Sequence, residues 1–104
     1  MSHQSRLIPI SYYNPSQEVR LSAYADTIVY EQENQGKQVL RAIRFGGYPE
    51  MVRGLADALY AGATLDAQIG DSSMSLECLS KRYQRQVTHD GVYAEATLLA
   101  MDDE

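Results

Sequence analysis

Residues 19–31, VRLSAYADTIVYE, form the clearest strand pattern in the chain. The odd positions, which end at Val29, are mainly apolar, and the even positions are mainly polar or aromatic, among them Tyr24 and Tyr30. A period of two with one apolar side is typical of an antiparallel strand that has one side on the core and one outside. This stretch therefore predicts a half-buried strand around which the fold is built.

Extended segments stand on both sides of this stretch. Residues 7–13 precede it across a turn, and Pro9 indicates an edge or an end of that strand, because proline donates no ladder hydrogen bond. Residues 37–45 follow it across a polar turn that contains Gly36, and this spacing is typical of a hairpin. The N-terminal half therefore predicts three consecutive strands.

The only strong helical spacing covers residues 49–62. Pro49 suits the first helical position, because its missing N–H would be unpaired there in any case. Apolar residues recur at spacings of three and four from Val52 to Leu59, and Gly62 is a typical C-terminal stop. The spacing predicts one helix that carries a single apolar side.

The C-terminal half is predicted to hold three or four further strands, although a helical spacing also fits residues 74–85 and remains an alternative here. Asp90-Gly91 is a strong hairpin signal, because a type I′ turn needs a positive φ at both central residues. With that turn at its centre, the hairpin is expected to place Val87 opposite Ala94.

This order of elements, three strands, one helix and then three or four strands, is typical of an α+β domain. We expect an antiparallel sheet of about six strands with the helix, residues 49–62, packed on one side. The chain has 104 residues, enough for one core, so residues 1–104 are expected to form a single domain. Residues 1–5 and 102–104 are expected to be frayed termini.

The charge of the chain bears on its partners. The 14 acidic residues outnumber the 9 basic ones and give a net charge of −5, which argues against direct nucleic-acid binding, because that needs a basic surface. No signal peptide is visible, and the most apolar run, residues 92–101, is too short for a helix to cross a bilayer. We therefore expect a cytoplasmic protein with no membrane partner.

Few residues suggest catalysis or metal binding. Cys78 alternates with apolar neighbours, a pattern typical of a buried cysteine that behaves as a small hydrophobe. Two histidines, His3 and His89, and one cysteine show no metal-ligand spacing. We expect no enzymatic activity, no metal and no cofactor. A small enzyme that uses Cys78 as nucleophile and His89 as base is an alternative that would need the two side chains in contact.

Tyrosine dominates the aromatic composition, with eight tyrosines, one phenylalanine and no tryptophan. A tyrosine has an apolar ring and a polar hydroxyl, which suits half-buried surfaces and protein interfaces. The strand phases predict that Tyr24, Ile28 and Tyr30 share the outer side of the long strand and that Tyr93 lies on the polar side of the last hairpin. These four residues are the predicted partner-binding site.

The leading hypothesis is a small cytoplasmic, non-enzymatic protein-interaction module that binds a partner protein or itself through this tyrosine-bearing side of the sheet. A homodimer is its simplest form, because closed two-fold dimers are the commonest assembly. The alternative is an acidic inhibitor, of the type carried by phages or mobile elements, that blocks the basic groove of a nucleic-acid enzyme such as a defence nuclease. It would place Glu31, Glu33, Asp102 and Asp103 where phosphates bind.

Overall fold

The computed structural model describes residues 7–33, 35–78 and 83–101. These ranges contain β1 (Ile8–Asn14), β2 (Val19–Gln32), β3 (Gln38–Gly47), α1 (Pro49–Tyr60), β4 (Thr64–Ile69), β5 (Ser72–Glu77), β6 (Tyr83–His89) and β7 (Ala94–Ala100). The α+β class and the order of elements are confirmed. In the described ranges the sheet has seven strands rather than about six, and it is mixed rather than purely antiparallel.

The strands pair in the order β2-β1-β4-β5-β3-β7-β6, and β2 also pairs with β3. The ladders are antiparallel except for one parallel bridge, between Val39 of β3 and Glu77 of β5. This bridge closes five strands into a ring, from which β7 and β6 extend. A chain that crosses over through a helix can bring two strands side by side in parallel, and local spacing carries no sign of such a contact.

Two irregularities let β2 pair with β1 along its first half and with β3 along its second half. The register between β2 and β3 shifts by one residue between Ala25 and Thr27, so Asp26 of β2 has no residue paired with it in the β3 ladder. It shifts again after Val29, where Arg41 of β3 has no residue paired with it in the β2 ladder. A β-bulge bends a strand and increases its twist. The bulges therefore allow one long strand to serve both partners.

The helix α1 packs against β7, β2, β6 and β3. Its buried residues are Val52, Leu55, Ala56 and Leu59, which are members of the predicted apolar side. They belong to one hydrophobic core together with buried strand residues that include Leu40, Ile43, Phe45, Ala96 and Leu98. The helix ends at Tyr60, two residues before the predicted end. Among the described residues, no helix is long and apolar enough to cross a membrane.

The β6–β7 hairpin forms, but its register differs from the predicted one. Val87 lies opposite Ala96 rather than Ala94, a shift of two residues. Because side chains alternate with a period of two, this shift leaves every side chain of the hairpin on its predicted side. The strand alternative for residues 74–85 is also correct wherever those residues are described, since β5 reaches Glu77 and β6 starts at Tyr83.

The turn of this hairpin explains the shift. Asp90 Oδ1 accepts hydrogen bonds from the backbone N–H groups of Val92 and Tyr93, at 3.3 and 3.1 Å. Within the turn only Gly91 has a positive φ, 102°. The central residues are therefore Gly91 and Val92, and glycine in the first position supplies the positive φ. Asp90 precedes the centre of the turn and stabilises it through its side chain.

Candidate functional site

The four residues of the predicted partner-binding site do not share one side of the sheet. Tyr24 and Tyr93 are exposed by 56% and 53%. Ile28 is half-buried and packs against the core, so its predicted outward placement is wrong. The bulge at Asp26 is the cause, because an extra residue reverses the alternation of all later side chains. Tyr30 follows Ile28 by two positions, shares its side of β2 and is 37% exposed.

Tyr24 and Tyr93 instead meet other residues around a hollow of about 410 Å³, which we call the aromatic hollow. Its lining consists of Ser22, Ala23, Tyr24, Gly47, Tyr48, Met51, Val92 and Tyr93. Three separate segments contribute: β2, the junction between β3 and α1, and the β6–β7 turn. The site therefore depends on the tertiary fold and not on one strand.

Tyr48 and Val92 are the two most exposed of the large apolar lining residues, and neither was among the predicted binding residues. Tyr48 directly precedes Pro49 and adopts an extended conformation, with φ −64° and ψ 137°, as residues before proline usually do. It is 77% exposed, and Val92, at the centre of the hairpin turn, is 79% exposed. Large apolar residues at a strand–helix junction and in a tight turn were a usable signal, because such positions are normally polar.

Gly46 makes room for the ring of Tyr93. A Cβ atom on Gly46 would collide with the Tyr93 hydroxyl oxygen and would lie 2.7 Å from the Tyr93 Cζ atom. In the sheet, Gly46 stands between Tyr24 of β2 and Glu95 of β7. The missing side chain lets Tyr93 lie across β3 towards Tyr24, which brings two of the predicted binding residues together.

A second depression adjoins the aromatic hollow, and Tyr93 lines both. This acidic hollow has a volume of about 290 Å³ and is lined by Thr88, His89, Asp90, Tyr93 and Glu95. Its lining includes two carboxylates and neither lysine nor arginine. The arrangement thus places an apolar depression beside a negatively charged one.

The arginine nearest to this surface in the strand register already has a carboxylate partner. Arg44 Nε lies 2.9 Å from Asp26 Oδ1, and this hydrogen bond lowers the pKa of the Asp26 carboxyl below its ordinary value. The same ion pair, with a smaller contribution from Glu95, raises the pKa of Arg44. The positive charge of Arg44 is therefore largely directed at Asp26.

The predicted electrostatic contacts are partly engaged within the molecule. Arg41 Nη2 donates a hydrogen bond to Glu33 Oε2 at 2.9 Å and another to Glu31 Oε1 at 3.4 Å. Arg41 Nε lies 3.4 Å from Glu31 Oε2 but is buried without a hydrogen bond, so that second contact is electrostatic only. Asp102 and Asp103 lie outside the described residues. The inhibitor hypothesis stays a prediction, with two of its four carboxylates already paired.

The pair required by the enzyme alternative is not assembled. Cys78 is 2% exposed in the core, and burial raises the pKa of its thiol to about 12, which keeps it neutral. The thiolate is the nucleophilic form of cysteine. His89 is exposed at the end of β6, where it lines the acidic hollow. Within the ranges that the structure describes, no group of three or more His, Cys, Asp and Glu residues is placed to hold a metal ion.

Comparison with known proteins adds no functional information, since no family model, curated protein or solved structure matches this chain.

Proposed function

We propose that this chain is a non-enzymatic protein-interaction module that binds a partner protein through the aromatic hollow. The observation that carries the proposal is the convergence of Tyr24, Tyr48 and Tyr93 with Val92 around one depression, each of them between 53% and 79% exposed. Exposed apolar groups gathered in one patch are typical of protein-binding surfaces. The proposal includes a cytoplasmic setting, which the single cysteine supports, because unpaired thiols persist in reducing compartments.

The acidic hollow narrows the chemistry of the partner. Asp90 and Glu95 flank Tyr93, and Glu50 follows Tyr48 by two residues at the start of α1. Carboxylates beside an apolar depression favour a partner segment that presents a large apolar side chain next to lysine or arginine. A second copy of this chain would bring the same carboxylates against one another, and like charges across an interface are unfavourable. The proposed occupant is therefore a different protein.

The three tyrosines are expected to supply most of the binding energy. Tyrosine is enriched among the few residues that dominate protein interfaces, and truncation of such a residue commonly costs about 2 kcal/mol or more. Each ring offers a large apolar area with few rotatable bonds, so little conformational entropy is lost when it becomes ordered. The carboxylates of the acidic hollow would mainly set specificity and the rate of association.

A phage-displayed library of random linear peptides tests the proposal directly. We expect the selected peptides to combine a large apolar residue with nearby Lys or Arg, and to bind more weakly as salt is raised. Tyr24→Ser and Tyr93→Ser should each lower the affinity of a selected peptide about thirtyfold. The matched control is Tyr30→Ser, which removes a partly exposed tyrosine from the other side of the same strand.

In the same experiment, Glu95→Gln distinguishes the contribution of the acidic hollow to peptide binding from that of the aromatic hollow. It should reduce peptide affinity about threefold to tenfold and flatten the salt dependence, because it removes one rim charge and leaves the aromatic rings in place. Peptides of no common chemistry, or peptides that bind Tyr93→Ser as tightly as the unaltered protein, would contradict the proposal. A loss with Tyr30→Ser equal to that with Tyr24→Ser would move the site to the other side of β2.

A further inference from the structure

Within the described residues, one strand at the end of the sheet has an edge that no other strand pairs with. The strand β6 stands at one end of the strand order, and one of its edges pairs with β7. Across residues 7–33, 35–78 and 83–101, no strand pairs with its other edge. An open strand edge presents N–H and C=O groups that another strand can join by hydrogen bonding.

The register identifies the outward-pointing groups. The N–H of Asp90 donates to the C=O of Tyr93 at 3.1 Å, so these two residues form a hydrogen-bonded pair. The ladder continues from there without a bulge, and hydrogen-bonded pairs alternate with non-hydrogen-bonded ones. The even-numbered residues of β6 therefore bond to β7. Arg85, Val87 and His89 direct their backbone groups to the open edge.

This edge lacks the features that usually prevent strand pairing. Natural edges are protected by proline, bulges or outward lysines, and the sequence YQRQVTH of β6 has no proline, no lysine and no bulge in its ladder with β7. Its one arginine, Arg85, turns towards α1, where Nη1 lies 2.6 Å from Asp57 Oδ1 and the guanidinium stands 4.6 Å from the centre of the Tyr60 ring. Among the described residues, β6 therefore offers a nearly neutral edge that has neither proline, lysine nor bulge.

We infer that two copies of this chain pair through their β6 edges as antiparallel strands, with the two-fold axis at Val87. In this register Val87 meets its own counterpart, Arg85 meets His89, and Gln86 meets Thr88 of the other copy. All three outward residues then exchange backbone hydrogen bonds, about six in total. An axis at Arg85 would instead place two arginines opposite each other, an unfavourable like-charge pair.

The self-pairing uses a surface separate from the aromatic hollow. The hollow includes Val92 and Tyr93, which lie beyond the end of β6, and antiparallel pairing sends these turns to opposite ends of the shared strands. The dimer would carry two aromatic hollows that both stay open, whereas Thr88 and His89 of each acidic hollow lie within the paired strands. It does not depend on the function proposed above, and the failure of either leaves the other unaffected.

Light scattering and sedimentation of the purified chain, from about 1 µM to 1 mM, test this inference. We expect a mass that rises with concentration to twice the 11.6 kDa of one chain. Val87→Pro removes the outward N–H at the axis and spares the bonds to β7, so it should weaken dimerisation about a hundredfold or more. Val87→Ile keeps the N–H and should dimerise like the unaltered chain. A chain that stays monomeric to about 1 mM overturns the inference.

A pair of double variants tests the register if Val87→Pro does not fold. Gln86→Lys with Thr88→Lys places like charges opposite each other across the axis and should weaken dimerisation at least about fivefold. Gln86→Lys with Thr88→Glu places opposite charges there and should preserve the dimer or strengthen it. Equal dimerisation by both double variants, or a loss in both, contradicts pairing about Val87. Circular dichroism of each variant checks that the sheet is retained.

Discussion

Two tyrosines of the β6–β7 hairpin, ten residues apart, have opposite roles. Tyr83 is 5% exposed, and its hydroxyl donates a hydrogen bond to the carbonyl oxygen of Leu40 at 3.1 Å. Tyr93 is 53% exposed and lies over Gly46 at the edge of the aromatic hollow. Both offer an apolar ring and a polar tip, yet one joins the core and the other faces solvent. Burial and the partner of the hydroxyl, rather than residue type, separate a structural tyrosine from a candidate binding residue.

The largest expected effect comes from truncating the buried member of this comparison. Tyr83→Ala should lower the free energy of unfolding by about 3–5 kcal/mol, because it removes a large ring from a packed site. Tyr83→Phe should cost about 1–2 kcal/mol, because the carbonyl of Leu40 loses a buried donor. Tyr93→Ala should change the free energy of unfolding by less than about 1 kcal/mol, because the side chain is exposed. Urea denaturation measures all three, and equal costs for Tyr83→Ala and Tyr93→Ala would refute the distinction.

A smaller effect is expected where the exposed tyrosine meets the sheet. Gly46→Ala places a Cβ atom where the Tyr93 ring lies and 3.0 Å from the Ala94 carbonyl oxygen. The substitution should lower the free energy of unfolding by about 1–3 kcal/mol, because overpacking a core position usually destabilises by this amount. In the Tyr93→Ala background the ring is gone and only the Ala94 contact remains, so the cost of the same change should fall by about half. A double-mutant cycle by urea denaturation measures this coupling.

This cycle tests whether the Tyr93 ring contacts Gly46, and a second cycle with Tyr83 serves as its control. If Gly46→Ala costs the same with and without the Tyr93 ring, then Tyr93 does not rest on Gly46 in solution. The control is Gly46→Ala in a Tyr83→Phe background, where the costs should add, because the cycle then joins residues that share no contact.

Local patterns in the sequence predicted the elements well, because each depends on neighbours along the chain. The alternation of residues 19–31 and the helical spacing after Pro49 reflect sidedness that a single element displays alone. The register of the last hairpin was missed by two residues, because Asp90 serves as an acceptor for the turn rather than as its first central residue. The contact between Val39 and Glu77 joins strands far apart in sequence and had no local signal.

The candidate site was predicted only in part, because some of its residues are placed by local alternation and others by contacts between distant segments. Tyr24 lies before the bulge at Asp26, so its outward placement followed from the alternation, whereas Ile28 lies after the bulge and turned inward. A bulge depends on the partner strand as well as on its own residues, so one sequence segment does not reveal it. Tyr48 reaches the hollow only because α1 begins beside the β6–β7 turn, a tertiary arrangement.

The smallest expected effect concerns the ion pair between Asp26 and Arg44, whose side chains are 33% and 51% exposed. Exposed pairs contribute less than about 1 kcal/mol, so Asp26→Asn should cost no more than that at pH 7. The pKa of Asp26 is lowered below 3.8 in the folded chain, so its contribution is present above that pH and disappears as the pH falls through the folded value. The difference in urea midpoint between variant and parent should therefore be largest at pH 7 and should shrink as the pH is lowered through the acid range. A difference that persists in acid would show that Asp26 acts through packing, as Tyr83 does, rather than through its charge.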